Sequence, residues 1–438
     1  MFGDLLFKTL AFGIKIAGRR SKFDHNTALS TVMRPTNGYP TPTPQALVVF
    51  AATIGEINGI RPLVEKFFQP HLIFITKKDV YETVVLKHFP KATVIDSDAM
   101  SLLTTERLLN NYAVKALLIA EGPALLARFS MYLSPALPLR CRAHNVPVFV
   151  VNACLFPRHL GGIVGRNLLL SPLFDFMFFS SFTRSIAHWY APYPEVAEAL
   201  VRNGATSGRV SVVGDIKFDV SPLDRHPNQS ADLLALLENL KAQEVPIIVA
   251  GSVTNFGDID ALISAWRAVR KDLGRCILVL APRRIHDKPH MEAIYRHLAE
   301  SGVAYRKRSD VQGDHDEIEF LVLDTFGELS ELYSISTVCF IARNHGVLEP
   351  LFFGKPVVVG PEQDWVAPSA LPQYRFMVAS GAIYQLRDNA QMAFAFGRLI
   401  EDSQLRNELI DRADAVLSAQ RGALDRVYSD IASRMTDS

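Results

Sequence analysis

Short apolar runs alternate with helix-length amphipathic segments along most of the chain. The runs are rich in β-branched residues and carry few polar positions, which is typical of strands buried on both faces of a parallel sheet. They lie at residues 46–52 (ALVVFAA), 72–76 (LIFIT), 92–95, 116–120 (ALLIA), 146–152 (VPVFVVN), 176–180 and 210–213, and again at 245–250 (VPIIVA), 276–281 (CILVLA), 320–323 (FLVL), 337–341 and 355–359 (KPVVV). The pattern predicts parallel sheets with crossover helices.

A polar stretch at residues 221–231 divides these runs into two groups. We predict an N-terminal α/β domain over residues 46–222, a C-terminal α/β domain over 232–390 and terminal helices over 391–438. The length of 438 residues agrees with two domains, because single cores stop growing near ~250–300 residues. Two doubly wound domains are expected to bind a ligand in a cleft between the carboxyl ends of their sheets.

The first 45 residues have a different pattern. Residues 1–20 (MFGDLLFKTLAFGIKIAGRR) mix apolar side chains with four basic ones and a single acid. This favours an amphipathic helix on a membrane surface, with a helix docked on its own domain as the alternative. Lysines inside the apolar stretch argue against a signal peptide. Residues 21–45 are rich in Thr, Asn and Pro and predict a linker.

Charge and cysteine content narrow the possible functions. The chain has 46 Lys and Arg against 45 Asp and Glu, a net charge of +1 that gives no overall attraction for nucleic acid. Its four cysteines are widely spaced and form no CxxC pair, and no histidines have metal-ligand spacing. We therefore expect neither a disulfide framework nor a metal site.

Residues 53–56 (TIGE) directly follow the first predicted strand, and the next helix is expected to begin near Ile60. That places Glu56 at the carboxyl edge of the sheet, where open α/β sheets bind ligands. Its carboxylate could take a proton from an attacking hydroxyl, and Gly55 would leave room for the substrate. The alternative is that Glu56 caps the following helix.

Two segments of the second domain could bind phosphate. Residues 281–284 (APRR) end a strand with Arg283 and Arg284, which could neutralise a nucleotide phosphate or form an ordinary basic loop. Gly251 and Ser252 end the first strand of that domain, where backbone N–H groups could hold phosphate oxygens.

Carboxylates near predicted helix starts could bind a sugar or a base. Gly327 and Glu328 begin one such helix, where free N–H groups could hold phosphate and the carboxylate could accept hydrogen bonds. Glu349 lies where it could bind the hydroxyls of a ribose. Ordinary helix starts explain the same residues. Lys217, in residues 214–219 (GDIKFD), either enters the cleft or belongs to a plain hinge.

Taken in order, these motifs resemble the Kdo transferase family, which transfers 3-deoxy-D-manno-octulosonic acid (Kdo) from CMP-Kdo to the lipid A precursor. The matches are TIGE to S-V-G-E, residues 152–158 (NACLFPR) to N-A-R-L-S-x-R, GDIKFD to G-[NS]-[IL]-K-F-D, residues 250–252 to A-G-S, residues 282–283 to the start of P-R-H, residues 324–329 (DTFGEL) to D-T-[ML]-G-E-L, and residues 348–350, 354–356 and 360–361 to L-E-P, G-x-P and G-P. The similarity spans residues 46–361.

The resemblance implies a GT-B glycosyltransferase fold, with two Rossmann-like domains facing an interdomain cleft. It also implies inverting transfer, without a metal or cofactor, at the cytoplasmic face of the bacterial inner membrane. A CMP-sugar would be the donor and a lipid-linked sugar the acceptor. By position, Glu56 would be the general base, Lys217, Ser252, Arg283, Gly327, Glu328, Leu329 and Glu349 would bind the donor, and Gly55, Glu121 and Arg158 would line the acceptor side.

Two segments depart from the family pattern. The family's T-E-x-W-P-N is here residues 120–125 (AEGPAL), which keep Glu121 and lose the Trp and Asn. The Gly-rich loop before N-x-L-E-P is shortened to residues 342–346 (ARNHG). Two alternatives therefore stay open: a GT-B transferase or epimerase that uses a UDP-sugar, and a non-catalytic membrane-associated homologue.

Overall fold

Parallel strands form two sheets, one in each half of the chain. The computed structural model describes residues 44–67, 71–122, 136–154, 183–202, 204–221, 230–311, 317–344, 346–364 and 370–436. The strands of the first sheet are β1 (Gln45–Phe50), β2 (Leu72–Thr76), β3 (Thr93–Asp96), β4 (Ala113–Ala120), β5 (Val148–Val151), β6 (His188–Ala191) and β7 (Val210–Val212). Those of the second are β8 (Ile247–Val253), β9 (Ile277–Pro282), β10 (Arg306–Lys307), β11 (Phe320–Val322), β12 (Val338–Ile341), β13 (Val357–Val359) and β14 (Tyr384–Gln385).

The strand order in each sheet is that of a doubly wound α/β domain. The first sheet has the order β3-β2-β1-β4-β5-β6-β7 and the second β10-β11-β9-β8-β12-β13-β14. The paired strands run parallel in both. The predicted α/β class with two doubly wound parallel sheets is confirmed.

Helices connect successive strands and cover the sheets. In the first half they are α1 (Ile54–Lys66), α2 (Lys78–His88), α3 (Leu102–Asn111), α4 (Ala136–Ala143) and α5 (Pro194–Arg202). In the second half they are α6 (Ala231–Ala242), α7 (Phe256–Leu273), α8 (Lys288–Glu300), α9 (Leu329–Ile335), α10 (Leu348–Phe352), α11 (Leu371–Ala379), α12 (Met392–Glu401), α13 (Ser403–Gln420) and α14 (Ala423–Thr436).

Capping side chains set the start of several helices. Thr53 has extended backbone angles and accepts a hydrogen bond from the backbone N–H of Glu56, so α1 begins at Ile54. The predicted start near Ile60 is therefore wrong, because the Thr53 cap starts the helix at Ile54. Asn255 caps α7 in the same way. Glu56 consequently lies in the first turn of a helix and not in a loop.

The chain forms two compact units, and the first of them contains both ends of the chain. One unit comprises Met1–Asp219 and Arg421–Ser438, and the other Val220–Gln420. The terminal helices, predicted as one segment over 391–438, are thus shared: α12 and α13 belong to the second unit and α14 to the first. Asp219 attaches α14 to its unit, since its carboxylate accepts hydrogen bonds from the N–H groups of Gly422 at 2.6 Å and Leu424 at 2.7 Å.

Each unit has its own apolar core. In the first, Ile57 and Leu63 of α1 and Val427 of α14 pack with the strands. In the second, Trp266 of α7 and Phe396 of α12 pack with the strands in the same manner. All four cysteines of the chain are buried and free of disulfide bonds.

Several predicted segments lie outside the described residues. They are the membrane-surface helix at 1–20, nearly all of the linker at 21–45 and the strand at 176–180. Within the described ranges, none of the helices is both long enough and apolar enough to span a membrane.

Candidate active site

The first turn of α1 brings the Glu56 carboxylate back over the helix start. The carboxylate accepts hydrogen bonds from the N–H of Ala52 at 2.6 Å and from the hydroxyl of Thr53 at 3.2 Å. Glu56 therefore makes the capping contacts that were the alternative explanation of the motif. These contacts also fix the position of the half-buried carboxylate. A capping role leaves open a chemical one, because each carboxylate oxygen has a further lone pair.

A second carboxylate and one lysine lie near Glu56. Glu121 directly follows β4, and Lys217 lies in the 3₁₀ turn Ile216–Asp219. The ammonium of Lys217 is 2.7 Å from the carboxylate of Glu121. The backbone N–H of Lys217 donates to Asp215 at 3.0 Å, which fixes the turn. The structure thus brings together three residues predicted from separate motifs.

Burial and the uneven balance of charge shift the pKa of Glu56. Burial raises it most, and the negative charge of Glu121 raises it further, to about 7 from 4.5. The Ala52 and Thr53 hydrogen bonds and Lys217 act in the opposite direction without cancelling this rise. Near pH 7, Glu56 is close to half-protonated. A group with such a pKa can both accept and release a proton under physiological conditions.

Lys217 remains a cation in this setting. Burial acts to lower its pKa, but the carboxylates of Glu121 and Asp215 outweigh burial and raise the pKa above its usual value. The site therefore combines a fixed positive charge with a titratable carboxylate at the carboxyl edge of the first sheet.

Two adjacent strands end with a residue in the left-handed backbone region. Glu121 follows β4 with φ of 51°, and Asn152 follows β5 with φ of 56°. Non-glycine residues rarely adopt this conformation, and such strained positions cluster at functional sites. Within the described part of the chain, the buried side-chain oxygen of Asn152 has no hydrogen-bond partner. The thiol of buried Cys154 donates to the carbonyl of Glu121 at 2.5 Å, which holds that strand end in place.

The other two acceptor-side candidates differ in what the structure describes. Gly55 is exposed, and among the described residues a Cβ built on it would meet only the Thr53 hydroxyl oxygen, at 3.8 Å. Arg158 lies outside the described residues.

In the second unit, Arg283 and Ser252 lie at neighbouring strand ends. Arg283 directly follows β9, with an exposed side chain and an N–H that donates to the Val253 carbonyl at 2.8 Å. Ser252 lies inside β8, in an irregularity where the register shifts, with φ of 59°. The predicted strand at 245–250 therefore ended too early.

Gly251 has a packing role. A Cβ on it would lie 1.9 Å from the hydroxyl oxygen of Tyr333, so no other residue fits without rearrangement. Its backbone pairs with Ile341 of β12. The glycine is explained by the buried tyrosine as well as by the predicted phosphate loop.

Glu328 forms a buried ion pair. Its carboxylate binds the Arg308 guanidinium through two hydrogen bonds of 2.8 and 3.0 Å and also accepts from the Thr325 hydroxyl at 2.6 Å. Glu328 is 6% exposed, so this carboxylate holds its loop to Arg308 in addition to any role toward a ligand. Arg308 was missed in the sequence, because no local pattern links residues twenty positions apart.

The remaining donor-side candidates lie around α9 and α10. Gly327 is exposed with φ of 78°, and no atom of the described residues lies within 4 Å of a Cβ built on it. Leu329 begins α9. Glu349 lies in the first turn of α10, half-buried and close enough to Tyr333 for its charge to raise the pKa of that hydroxyl, after the larger effect of burial. Among the described residues, no three His, Cys, Asp or Glu side chains are grouped as metal ligands.

Solved structures define the class to which this fold belongs. HepE of Anabaena in complex with UDP-glucose aligns with a TM-score of 0.57 at 12% identity, over 90% of this chain and all of that one. UDP-GlcNAc 2-epimerase of Neisseria meningitidis bound to UDP-GlcNAc aligns with a TM-score of 0.51 at 15% identity, over 86% and 99%. At these identities the likeness concerns the fold alone, and that fold is the two-domain α/β GT-B fold.

Curated relatives with a similar sequence include Kdo transferases. The chain is 24% identical over 402 residues to the Kdo transferase of Haemophilus influenzae, covering 88% of this chain and 86% of that one. It is 23% identical over 361 residues to that of Aquifex aeolicus, covering 81% and 86%. It is 26% identical over 326 residues to a bifunctional glycosyltransferase/methyltransferase of Fusobacterium nucleatum, spanning 71% of this chain but only 46% of that relative. No protein-family model matches. The chain is thus similar to Kdo transferases over most of its length, which supports the resemblance that its motifs indicated.

Proposed function

We propose that the protein transfers Kdo or a related sugar from a CMP-sugar to a lipid A precursor or a similar lipid-linked hydroxyl. The names of its curated relatives support the sugar and the reaction class. The observation that carries the proposal is the Glu56 carboxylate, whose pKa of about 7 suits a general base. The transfer inverts the configuration of the anomeric carbon and uses no metal.

In the proposed reaction, the acceptor hydroxyl loses its proton to Glu56 as its oxygen attacks the anomeric carbon of the donor. A new C–O bond forms on one face of the sugar while the bond to the phosphate oxygen breaks on the other. The bonding electrons leave with CMP, and Glu56 ends the step as a neutral acid. A single displacement of this kind inverts the anomeric centre.

Lys217 and Glu121 set the charge around this step. Glu121 raises the proton affinity of Glu56, which favours proton uptake from the acceptor. Lys217 is bound to Glu121, so its cation limits that rise. A base with a pKa near the working pH is ionised often enough to act and still basic enough to remove a proton.

Arg283 of the second unit is proposed to balance the charge of the leaving phosphate. A guanidinium can make two parallel hydrogen bonds to phosphate oxygens, which a solvated ammonium does less well. Its exposed position after β9 leaves it accessible to a ligand. Residues 1–20 are proposed to bind the cytoplasmic face of the inner membrane, where a lipid-linked acceptor would be presented.

The direct test is transfer of Kdo from CMP-Kdo to a lipid A precursor, followed by mass spectrometry of the product. The proposal expects a product heavier by one Kdo residue and equal rates with and without EDTA. Transfer that stops in EDTA and returns with Mg²⁺ would contradict the metal-free mechanism. Thermal-shift titration with CMP and UDP tests the donor class, and stabilisation by UDP alone would favour a UDP-sugar enzyme.

The membrane assignment has a separate test. Deletion of residues 1–20 should abolish cosedimentation with vesicles containing anionic lipid, because this segment combines four basic side chains with apolar ones. Unchanged cosedimentation would place the membrane-binding surface elsewhere in the chain.

A further inference from the structure

The C-terminal helix α14 begins against the turn that carries Lys217. Asp219 is the last residue of this 3₁₀ turn, and its two carboxylate oxygens accept hydrogen bonds from the N–H groups of Gly422 and Leu424. Gly422 has φ of 89°, a left-handed conformation that favours glycine and lets the chain turn sharply between α13 and α14. The carboxylate thus joins residues that are 203 positions apart in the sequence.

The turn is also held at its other end. Asp215 accepts hydrogen bonds from the backbone N–H of Lys217 at 3.0 Å and from the hydroxyl of Tyr193 at 3.3 Å. The side chain of Phe218 is fully buried. A lysine side chain has many rotamers, and a fixed backbone limits the positions that its ammonium can take. The 2.7 Å contact of Lys217 with Glu121 therefore depends on how firmly the turn is held.

The same helix packs against α1, which carries Glu56. Leu424 and Val427 of α14 belong to one apolar cluster with Ile57 of α1, the residue that directly follows Glu56. α14 therefore contacts both of the elements that carry Glu56 and Lys217. Its packing on α1 is apolar, whereas its link to the turn is the carboxylate of Asp219.

We propose that Asp219 is a positioning residue of the active site, which holds Lys217 in place by binding the start of α14. The inference rests on the proposed function, since it concerns the surroundings of the proposed base Glu56. Asp219 contacts neither substrate in this scheme and acts through the turn. The last residues of the chain thus take part in ordering the site.

The charges around Glu56 give the expected effect a sign. Among the described residues, the titratable groups that act on Glu56 are Glu121 after β4, Lys217 in the turn and the thiol of Cys154 after β5. Burial and Glu121 raise the pKa of Glu56, and Lys217 lowers it. A looser turn lets Lys217 move away, which raises this pKa further. Loss of the negative charge of Asp219 acts in the opposite direction, so a rise identifies displacement of the cation.

The test follows the titration of Glu56 in Asp219→Asn, which keeps the size of the side chain but has one oxygen to accept hydrogen bonds. Full-length protein labelled with carbon-13 at its glutamate carboxyl groups should show a Glu56 NMR signal that titrates at a pH of about 7. The absence of this signal in Glu56→Gln assigns it. Asp219→Asn should raise the midpoint by roughly 0.5–1 pH unit, part of the effect of a whole neighbouring charge.

The same shift should appear in catalysis. At about pH 7, kcat/KM for transfer from CMP-Kdo should fall roughly 2- to 5-fold in Asp219→Asn, because a smaller fraction of Glu56 is ionised. The rate should return to that of the parent protein at about pH 9, where Glu56 is ionised in both proteins. A loss caused by partial unfolding is not restored by alkaline pH.

Asp430→Asn is the matched control. Asp430 also attaches α14 to the first unit through its carboxylate, which accepts hydrogen bonds from the hydroxyl of Tyr190 at 2.6 Å and from Arg434 at 2.7 Å. It lies in the second half of the helix, away from the turn. This variant should lower the free energy of unfolding and leave the titration of Glu56 unchanged.

The outcomes separate this inference from the proposed function. An unchanged or lowered Glu56 midpoint in Asp219→Asn overturns the positioning role, whichever reaction the protein catalyses. An equal rise in Asp430→Asn also overturns it, because general loosening of α14 would then explain the effect. A midpoint raised in Asp219→Asn alone, in a protein that transfers no Kdo, supports the positioning role and contradicts the proposed function.

Discussion

Acidic side chains at the carboxyl edges of the two sheets are compensated in different ways. In the second unit, Glu328 receives two hydrogen bonds from Arg308 and a third from Thr325, so its charge is fully matched. Among the described residues of the first unit, the cation that acts on Glu56 and Glu121 is Lys217, which pairs directly with Glu121. Glu56 is left with hydrogen bonds from Ala52 and Thr53.

This difference separates a carboxylate that stabilises the fold from one suited to chemistry. The hydrogen bonds from Arg308 and Thr325 hold the Glu328 carboxylate and its loop in one position. Glu56 differs, because burial and the charge of Glu121 raise its pKa to about 7. With this pKa, the Glu56 carboxylate can exchange protons near neutral pH.

The largest expected effect follows from removing the titratable group. Glu56→Gln should lower the transfer rate by roughly 10²–10⁴-fold, because an amide keeps the size of the side chain and cannot accept the proton. Calorimetry should show unchanged nucleotide binding. Near-wild-type turnover, measured under the same conditions, would reduce Glu56 to a helix cap.

Disrupting the ion pair of Arg308 and Glu328 should lower the stability of the fold. Arg308→Met leaves the buried Glu328 without its partner, which should lower the free energy of unfolding by about 3–5 kcal/mol in urea titrations. The control is the double variant Arg308→Met/Glu328→Leu, which should recover more than half of that loss because no buried charge remains. A single variant as stable as the parent protein would show that the pair is not a structural one.

The smallest expected effect concerns the free energy of unfolding, which the ionised carboxylate of Glu56 lowers. The pKa of Glu56 is about 7 in the folded chain against 4.5 in the unfolded one, so the folded state holds more protons between these values. Stability therefore falls as pH rises from about 4.5 to about 7. The side chain of Glu56→Gln cannot ionise. The free energy of unfolding of this variant, relative to that of the parent protein, should therefore be about 1–2 kcal/mol higher at pH 8 than at pH 5. This is less than the full pKa shift implies, because the group is half-buried. Chemical unfolding at the two pH values measures the gain.

Strands were easier to predict than helix starts. The run at 72–76 coincides with β2, since a central strand buried on both faces is apolar throughout. β6 was missed, because His188 and Tyr190 interrupt its apolar pattern. Both side chains bind polar partners from elsewhere in the first unit, Ser211 and Asp430. Such distant pairing leaves no periodic signal in the sequence.

For the candidate site, the sequence predicted the residues but not their charge balance. Glu56, Glu121 and Lys217 were each identified from separate motifs, and their positions at one sheet edge follow from the parallel topology. The ion pair of Lys217 with Glu121 depends on side-chain geometry and could not be predicted. Asn152 was overlooked as a site residue, although a polar residue directly after a buried strand was a usable signal.

The pH dependence of kcat/KM for the parent protein and Glu121→Gln shows whether Glu56 is the general base and whether Glu121 raises its pKa. The parent protein should lose activity as pH falls through about 7, where Glu56 becomes protonated. Removing the negative charge of Glu121 should move this loss to lower pH, toward the ordinary glutamate value, because one cause of the raised pKa is gone. A profile that is flat from pH 5 to 8 in the parent protein, or unmoved in Glu121→Gln, would contradict the account.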